Sequence, residues 1–157
     1  MPKAIGFRVE PAAVHWAIVT LEPGEEPVLE QAETVKAPKD SDEGAALTWF
    51  RGRVANLLEQ HKPGSAAIKY AEQVAPGRRG DGARKRARLE GVLLQLCDES
   101  RVALFTGAYK AVSGRLQTNS AKKYLKQDNV RGIAWAGHPP VRREAILVAL
   151  AALEGGV

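Results

Sequence analysis

Cysteine is nearly absent: Cys97 stands alone, which rules out an internal disulfide. The three histidines, His15, His61 and His138, are too widely spaced to complete a zinc cluster of cysteine and histidine ligands. Aromatic residues make up only 6% of the chain, too few for an extended base-stacking surface. No run approaches the roughly 20 apolar residues of a membrane span, and Met1-Pro2-Lys3 leads straight into an apolar strand instead of a signal peptide. These absences lead us to expect a cytoplasmic protein with no membrane partner, whose lone cysteine packs on the apolar face of a helix.

What is present is a compact chain. Its 157 residues, 45% of them apolar, suit a single domain over residues 1–157 with a real core. The net charge of +5 conceals an asymmetry: residues 1–68 hold 7 Lys/Arg against 10 Asp/Glu, and residues 69–157 hold 16 against 8. The second half is a candidate surface for an acidic partner, most often nucleic acid, or simply a solubilising face.

Periodicity orders the elements. Ala4 to Val9 and Val14 to Leu21 read as strands joined by Glu10-Pro11-Ala12-Ala13, and Val28 to Val35 as a third, edge-like strand. Asp40 and Glu43 have capping-box spacing ahead of Leu47, Phe50, Val54, Leu57 and Leu58, which predict a helix ending at Pro63-Gly64. Ala66 to Tyr70 predicts a fourth strand. Leu89, Val92, Leu93, Leu96 and Cys97 mark a second helix, and Val102 to Thr106 a fifth strand. Ser120 is placed to cap a short helix through Gln127, and Pro139-Pro140 to start a last one on whose face lie Val141, Ala145, Val148 and Ala152. The order βββαβαβαα implies an α/β fold, a mixed five-stranded sheet of three antiparallel strands then two parallel ones, covered by helices.

Gly77-Arg78-Arg79-Gly80-Asp81-Gly82-Ala83-Arg84-Lys85-Arg86-Ala87-Arg88 is the strongest cue for binding. Six cations face one acid, and the glycines let the backbone approach a phosphate chain. We expect Gly77 to Gly82 to form a mobile basic connection, with Arg78, Arg79, Arg84, Lys85, Arg86 and Arg88 as candidate nucleic-acid contacts. The bland reading of such a run is a solvated loop. Tyr109, Lys110, Arg115, Lys122, Lys123, Tyr124 and Lys126 extend the basic face, with Lys122 and Lys123 as further candidate contacts and the tyrosines as stacking candidates. Trp16, Trp49 and Phe50 fall where core packing is expected.

The order of elements resembles the ribonuclease H-like (RNase H-like) fold, and the local motifs resemble its RuvC branch, the Holliday junction resolvases. Ile5-Gly6-Phe7-Arg8 matches the branch's first-strand step of glycine, apolar residue and aspartate. Ala67-Ile68-Lys69 matches the fourth-strand step ending in glutamate. Asn119-Ser120-Ala121-Lys122-Lys123 matches a helix start after the fifth strand, and Glu144 to Ala149 matches the acid and small apolar run that open the closing helix. The resemblance spans nearly the whole chain, through short motifs whose order carries it. It also implies that the basic segment from Gly77 to Arg88 lies beside the groove where the relatives hold their substrate.

In that branch, acids from the first strand, the fourth strand and the last helix hold two divalent metals that activate water for attack at phosphorus. Here the matching positions carry Arg8, Lys69 and Glu144. Two fixed cations repel Mg²⁺, so the resemblance implies a degenerate site with no catalytic residue, no metal and no cofactor. Small bacterial RNase H-like proteins of uncharacterised function are similar in carrying lysine at the fourth-strand position. Glu144 is expected to pair with Arg8 or Lys69, or to orient Arg142 and Arg143. Arg8 and Lys69 either clasp an anion or form an internal salt-bridged plug with Glu144 and Glu72.

Three functional readings follow. The first is a pseudo-nuclease that binds nucleic acid through its basic half without cutting it. The second is an interaction or scaffold module, as a homodimer or with a protein partner in a larger assembly. The third is a Mg²⁺- or Mn²⁺-dependent nuclease with a displaced site on Glu10, Glu72 and Glu144. Pro11 counts against the third, because it predicts that the first strand ends before Glu10, and Glu72 has the opposite strand parity to Lys69.

Overall fold

The computed structural model describes residues 2–72 and 80–154. Lys3–Glu10 (β1) and Ala13–Thr20 (β2) pair antiparallel along their whole length, Lys3 opposite Thr20 and Glu10 opposite Ala13. Pro11-Ala12 is the turn between them. Contrary to the sequence expectation, Pro11 does not shorten the strand: its fixed φ suits the bend, and at the turn its missing N–H costs no ladder bond.

Val28–Lys36 (β3) lies on the outer side of β2, and Ser65–Lys69 (β4) and Ala103–Gly107 (β5) run parallel to β1 on its other side. The order is β3-β2-β1-β4-β5, a mixed sheet of three antiparallel and two parallel strands. Its central strands read as continuous apolar runs because helices cover both faces. On one face, Glu43–His61 (α1) and Asp81–Glu99 (α2) bury Phe50, Val54, Leu58, Leu89, Leu93 and Cys97 against Ile5, Phe7, Trp16, Ile18 and Ile68. The buried Cys97 thiol is pushed up to about 11 by burial, as befits a core residue. On the other face lies Pro140–Glu154 (α4), whose Ala145 to Ala152 are buried against Ala4, Ala17, Val19 and Ala67.

The elements depart from expectation at identifiable points. The cap of α1 is Asp42, whose carboxylate accepts from Ala45 N at 2.7 Å, whereas Asp40 has a left-handed φ of 63°. An N-cap needs extended backbone, which Asp42 has and Asp40 lacks. The basic segment is not a loop throughout: Gly80 caps α2, so Asp81 to Arg88 form its first two turns. Arg78 and Arg79 lie outside the described residues. A short helix, Tyr109–Arg115 (α3), and a small hairpin, Asn129–Val130 (β6) with Ile133–Ala134 (β7), have no counterpart in the predicted order. Ala121–Lys126 is a 3-10 helix, and Ser120 does not cap it; the Ser113 hydroxyl accepts from Ala121 N instead.

Gly6 fixes how closely α4 approaches the sheet. A Cβ at this position would sit 2.0 Å from the Ala145 carbonyl oxygen and 2.8 Å from Ala149 N. Strand and helix therefore meet where the strand has no side chain and the helix only alanine methyls. Gly6→Ala should lower unfolding stability by about 1–3 kcal/mol or more through overpacking. Gly52→Ala, in the exposed middle of α1 with open space around it, should raise it by about 0.5–1 kcal/mol. Urea denaturation of the two variants checks the contrast.

Candidate functional site

One row of residues crosses the α4 face of the sheet at the carboxyl end of β1. Register places Thr34 beside His15, His15 beside Arg8, Arg8 beside Lys69 and Lys69 beside Gly107. Strand parity points all of them the way of Gly6, toward the start of α4. The second turn of that helix delivers Glu144.

Glu144 takes both cations. Its Oε1 accepts from Arg8 Nε at 3.0 Å, and its Oε2 lies 3.3 Å from Lys69 Nζ. The Lys69 side chain is only 2% exposed, yet its ammonium is well supplied: the Tyr70 carbonyl at 2.7 Å, Glu72 Oε1 at 3.4 Å and the Tyr109 ring 4.0 Å below it. Arg8 also donates to the Val9 carbonyl at 2.5 Å. Glu72 accepts a second bond, from Tyr109 N at 2.9 Å, and so ties the start of α3 to the cluster.

Burial alone would raise the Glu144 carboxyl. The Tyr109 hydroxyl beside it, Lys69 and Arg8 outweigh that penalty and hold it below its ordinary value of 4.5. The Tyr109 hydroxyl biases this charge by proximity, without reaching hydrogen-bond geometry. Its own ionisation is pushed up by burial and by the neighbouring Glu144 and Glu72 charges.

A second network continues on the β2–β3 side. Arg142 donates to Thr34 Oγ1 through Nε at 3.3 Å and Nη2 at 3.0 Å. The same Thr34 hydroxyl lies 2.7 Å from His15 Nδ1. His15 Nε2 is in turn 2.5 Å from Glu10 Oε1. Arg142 also reaches His138 Nδ1 at 3.3 Å; burial, then Arg142 and Arg143, lower the His138 pKa. Arg143 donates to the carbonyls of His138, Leu125, Gln127 and Ala136 and lies over the Trp135 ring. Of the two roles expected of Glu144, the structure has the pairing, with both Arg8 and Lys69; among the described residues it makes no bond to Arg142 or Arg143.

Glu72 and Glu144 thus share the Lys69 ammonium, while Glu10 is bonded to His15. Among the described residues no three His, Cys, Asp or Glu side chains come together in a way that could hold a metal ion. Of the basic candidates, Arg84, Lys85 and Arg88 are exposed on α2, with Arg84 3.3 Å from Asp81 and Arg88 2.9 Å from Glu43. Lys122 and Lys123 are exposed on the 3-10 helix. Tyr109 lies against Lys69 instead of serving an open stacking surface. Sequence reasoning passed over Glu90, whose Oε2 is buried without a hydrogen-bond partner among the described residues. Burial raises its pKa, partly offset by Arg86, Arg8 and Lys69. Its spacing of four from Arg86 along one helix face was the available signal.

No protein-family model matches the chain, and no curated protein matches it. Solved structures do. The structure of Thermus thermophilus RuvC superimposes with a TM-score of 0.78 at 20% identity, covering 95% of this chain and 92% of that one. T. thermophilus RuvC in complex with Holliday junction substrate gives 0.76 at 18%, covering 95% and 91%. The yeast mitochondrial Holliday junction resolvase gives 0.62 at 11%, covering 98% and 78%. The fold is the RNase H-like fold of the RuvC resolvases.

In a RuvC-like fold the row at the end of β1 and β4 is where the family resemblance locates two divalent ions. The side chains present do not fit them. Both oxygens of Glu144 are engaged by cations, and the Lys69 ammonium lies within the carboxylate cluster where a metal would need oxygen donors.

Removing one partner from a buried ion cluster costs more than removing the cluster. Glu144→Ala should destabilise by about 3–5 kcal/mol because Arg8 loses its carboxylate partner and the buried Lys69 keeps only the exposed Glu72, whereas the combined Arg8→Met, Lys69→Met, Glu144→Leu variant should recover most of that loss. The depressed Glu144 pKa stabilises the fold above the ordinary carboxylate value, and this contribution is lost as the pH falls through the folded-state value. Acid titration of stability should therefore fall more steeply in the parent than in Glu144→Gln. Equal slopes would show that Glu144 is not the group responsible.

Proposed function

We propose that this chain is a nucleic-acid-binding protein of RuvC-like fold that does not cut its ligand by two-metal chemistry. The observation that carries the proposal is the Arg8–Glu144–Lys69 cluster, with adjacent strands presenting two cations to one carboxylate. Two ions about 4 Å apart require several carboxylates to offset their charge, and the cluster instead neutralises itself. It acts as an internal plug that fixes α4 to the sheet.

The binding part of the proposal rests on surface charge. Arg84, Lys85, Arg86 and Arg88 occupy successive turns at the start of α2, and Lys122 and Lys123 add to the charge of the second half. The ion pairs of Arg84 and Arg88 are exposed, worth about 0–1 kcal/mol each, so a phosphate backbone can displace the acids at little cost. A RuvC structure with Holliday junction substrate supports nucleic acid as the partner class. We take residues 1–157 to act as one domain.

Fluorescence anisotropy on a labelled four-way junction, a duplex and a single strand, with and without Mg²⁺ or Mn²⁺, tests both parts. Binding should weaken steeply with salt. Replacing Arg84, Lys85, Arg86 and Arg88 by alanine should lower affinity at least tenfold and, on duplex, flatten the logarithmic salt slope by roughly 0.9 for each phosphate no longer neutralised. No metal-stimulated product should form. Cleavage that requires metal and disappears in Glu144→Ala would overturn the first part, and salt-insensitive or absent binding the second.

A further inference from the structure

Away from the cluster, on the α1 and α2 side, a hollow of about 390 Å³ opens between the β1–β2 turn, the β3–α1 connection and the first turns of α2. Phe50, Leu47, Ala46 and Leu89 supply apolar walls. Lys36 and Lys39, from the end of β3 and its connection to α1, and Lys85, from α2, come to its rim. None of the three has an ion-pair partner among the described residues. The rim acids do not cancel them: Glu43 is bonded to Arg88 at 2.9 Å, which leaves Asp40 against three lysines.

An apolar hollow of this size with a few convergent charges is the usual form of a small-molecule subsite. Like charges gathered around a low-dielectric wall repel one another, and an anion at the mouth relieves that repulsion. The matching ligand has a flat, largely apolar body carrying a phosphate. Lys85 makes the hollow continuous with the basic turns of α2. We propose that it receives one unpaired nucleotide of a bound strand, its base between Leu47 and Leu89 and its phosphate on Lys36, Lys39 and Lys85. This rests on the nucleic-acid reading and assigns it a specific subsite.

The test is an amide NMR titration of the full chain with deoxyadenosine 5′-monophosphate, deoxyadenosine and inorganic phosphate. The mononucleotide should give saturable shifts around Lys39, Leu47 and Leu89 and bind at least tenfold more tightly than either fragment. Ala46→Trp, which fills the hollow, should abolish those shifts. Lys36→Glu with Lys39→Glu, an exposed charge change that leaves the core intact, should weaken them about tenfold. A single-stranded oligonucleotide with one abasic position should then bind the parent more weakly than the intact strand, and bind Ala46→Trp equally. A mononucleotide response that is absent, or the same as that of phosphate alone, overturns the subsite. If the intact and abasic strands meanwhile bind alike, the broader nucleic-acid reading still stands; if no strand binds at all, that reading falls too.

Discussion

The carboxylate of Glu144, held between Arg8 and Lys69, sets the geometry of the molecule's working end. α4 lies so close to β1 that the Gly6 position has no room for a side chain, and Glu144, immediately before Ala145 at that crossing, reaches the two strand ends. Small residues set the distance between helix and sheet, and the ion cluster sets the position of the helix along the strand. Each constraint depends on the other. A larger residue at position 6 would push Glu144 away from its cations, and loss of Glu144 would leave a nearly buried ammonium with only a carbonyl, Glu72 and an aromatic ring to satisfy it.

Around this point the polar row extends across the sheet. On one side Lys69 links Glu72, Tyr109 and the start of α3; on the other His15 and Thr34 link Glu10 to Arg142. Such linked polar networks are costly to break at one member and make the local structure specific. Elements distant in sequence, β1, β2, β3, β4, α3 and α4, are thereby joined through side chains at one level of the sheet.

Much of this was legible in the chain. The order of the strands and main helices along the chain followed from apolar runs, because a sheet covered on both faces leaves a strong period-two or continuous apolar signal, and the matching of Arg8, Lys69 and Glu144 to one site followed from the short motifs of the family resemblance. Pro11 misled because a proline at a turn and a proline inside a strand look alike until the register is known. Asp40 misled because capping depends on backbone angles that spacing does not encode. The basic run read as a loop because six cations mask the apolar stripe that begins only at Leu89. The partnership of His15, Thr34 and Arg142 was invisible, since it joins residues 108 positions apart through register. Glu90 was missed among other exposed-looking charges on the same helix.

The shared carboxylate also constrains how this sequence can change. Exchanging Arg8 for an acid would leave Glu144 and the new carboxylate facing Lys69 alone, with Glu72 close by. Exchanging Lys69 would leave Arg8 to balance the same excess. Either single step passes through a crowded, under-compensated cluster, so positions 8 and 69 are coupled and have to change together or with position 144. The three residues therefore act as one electrostatic unit.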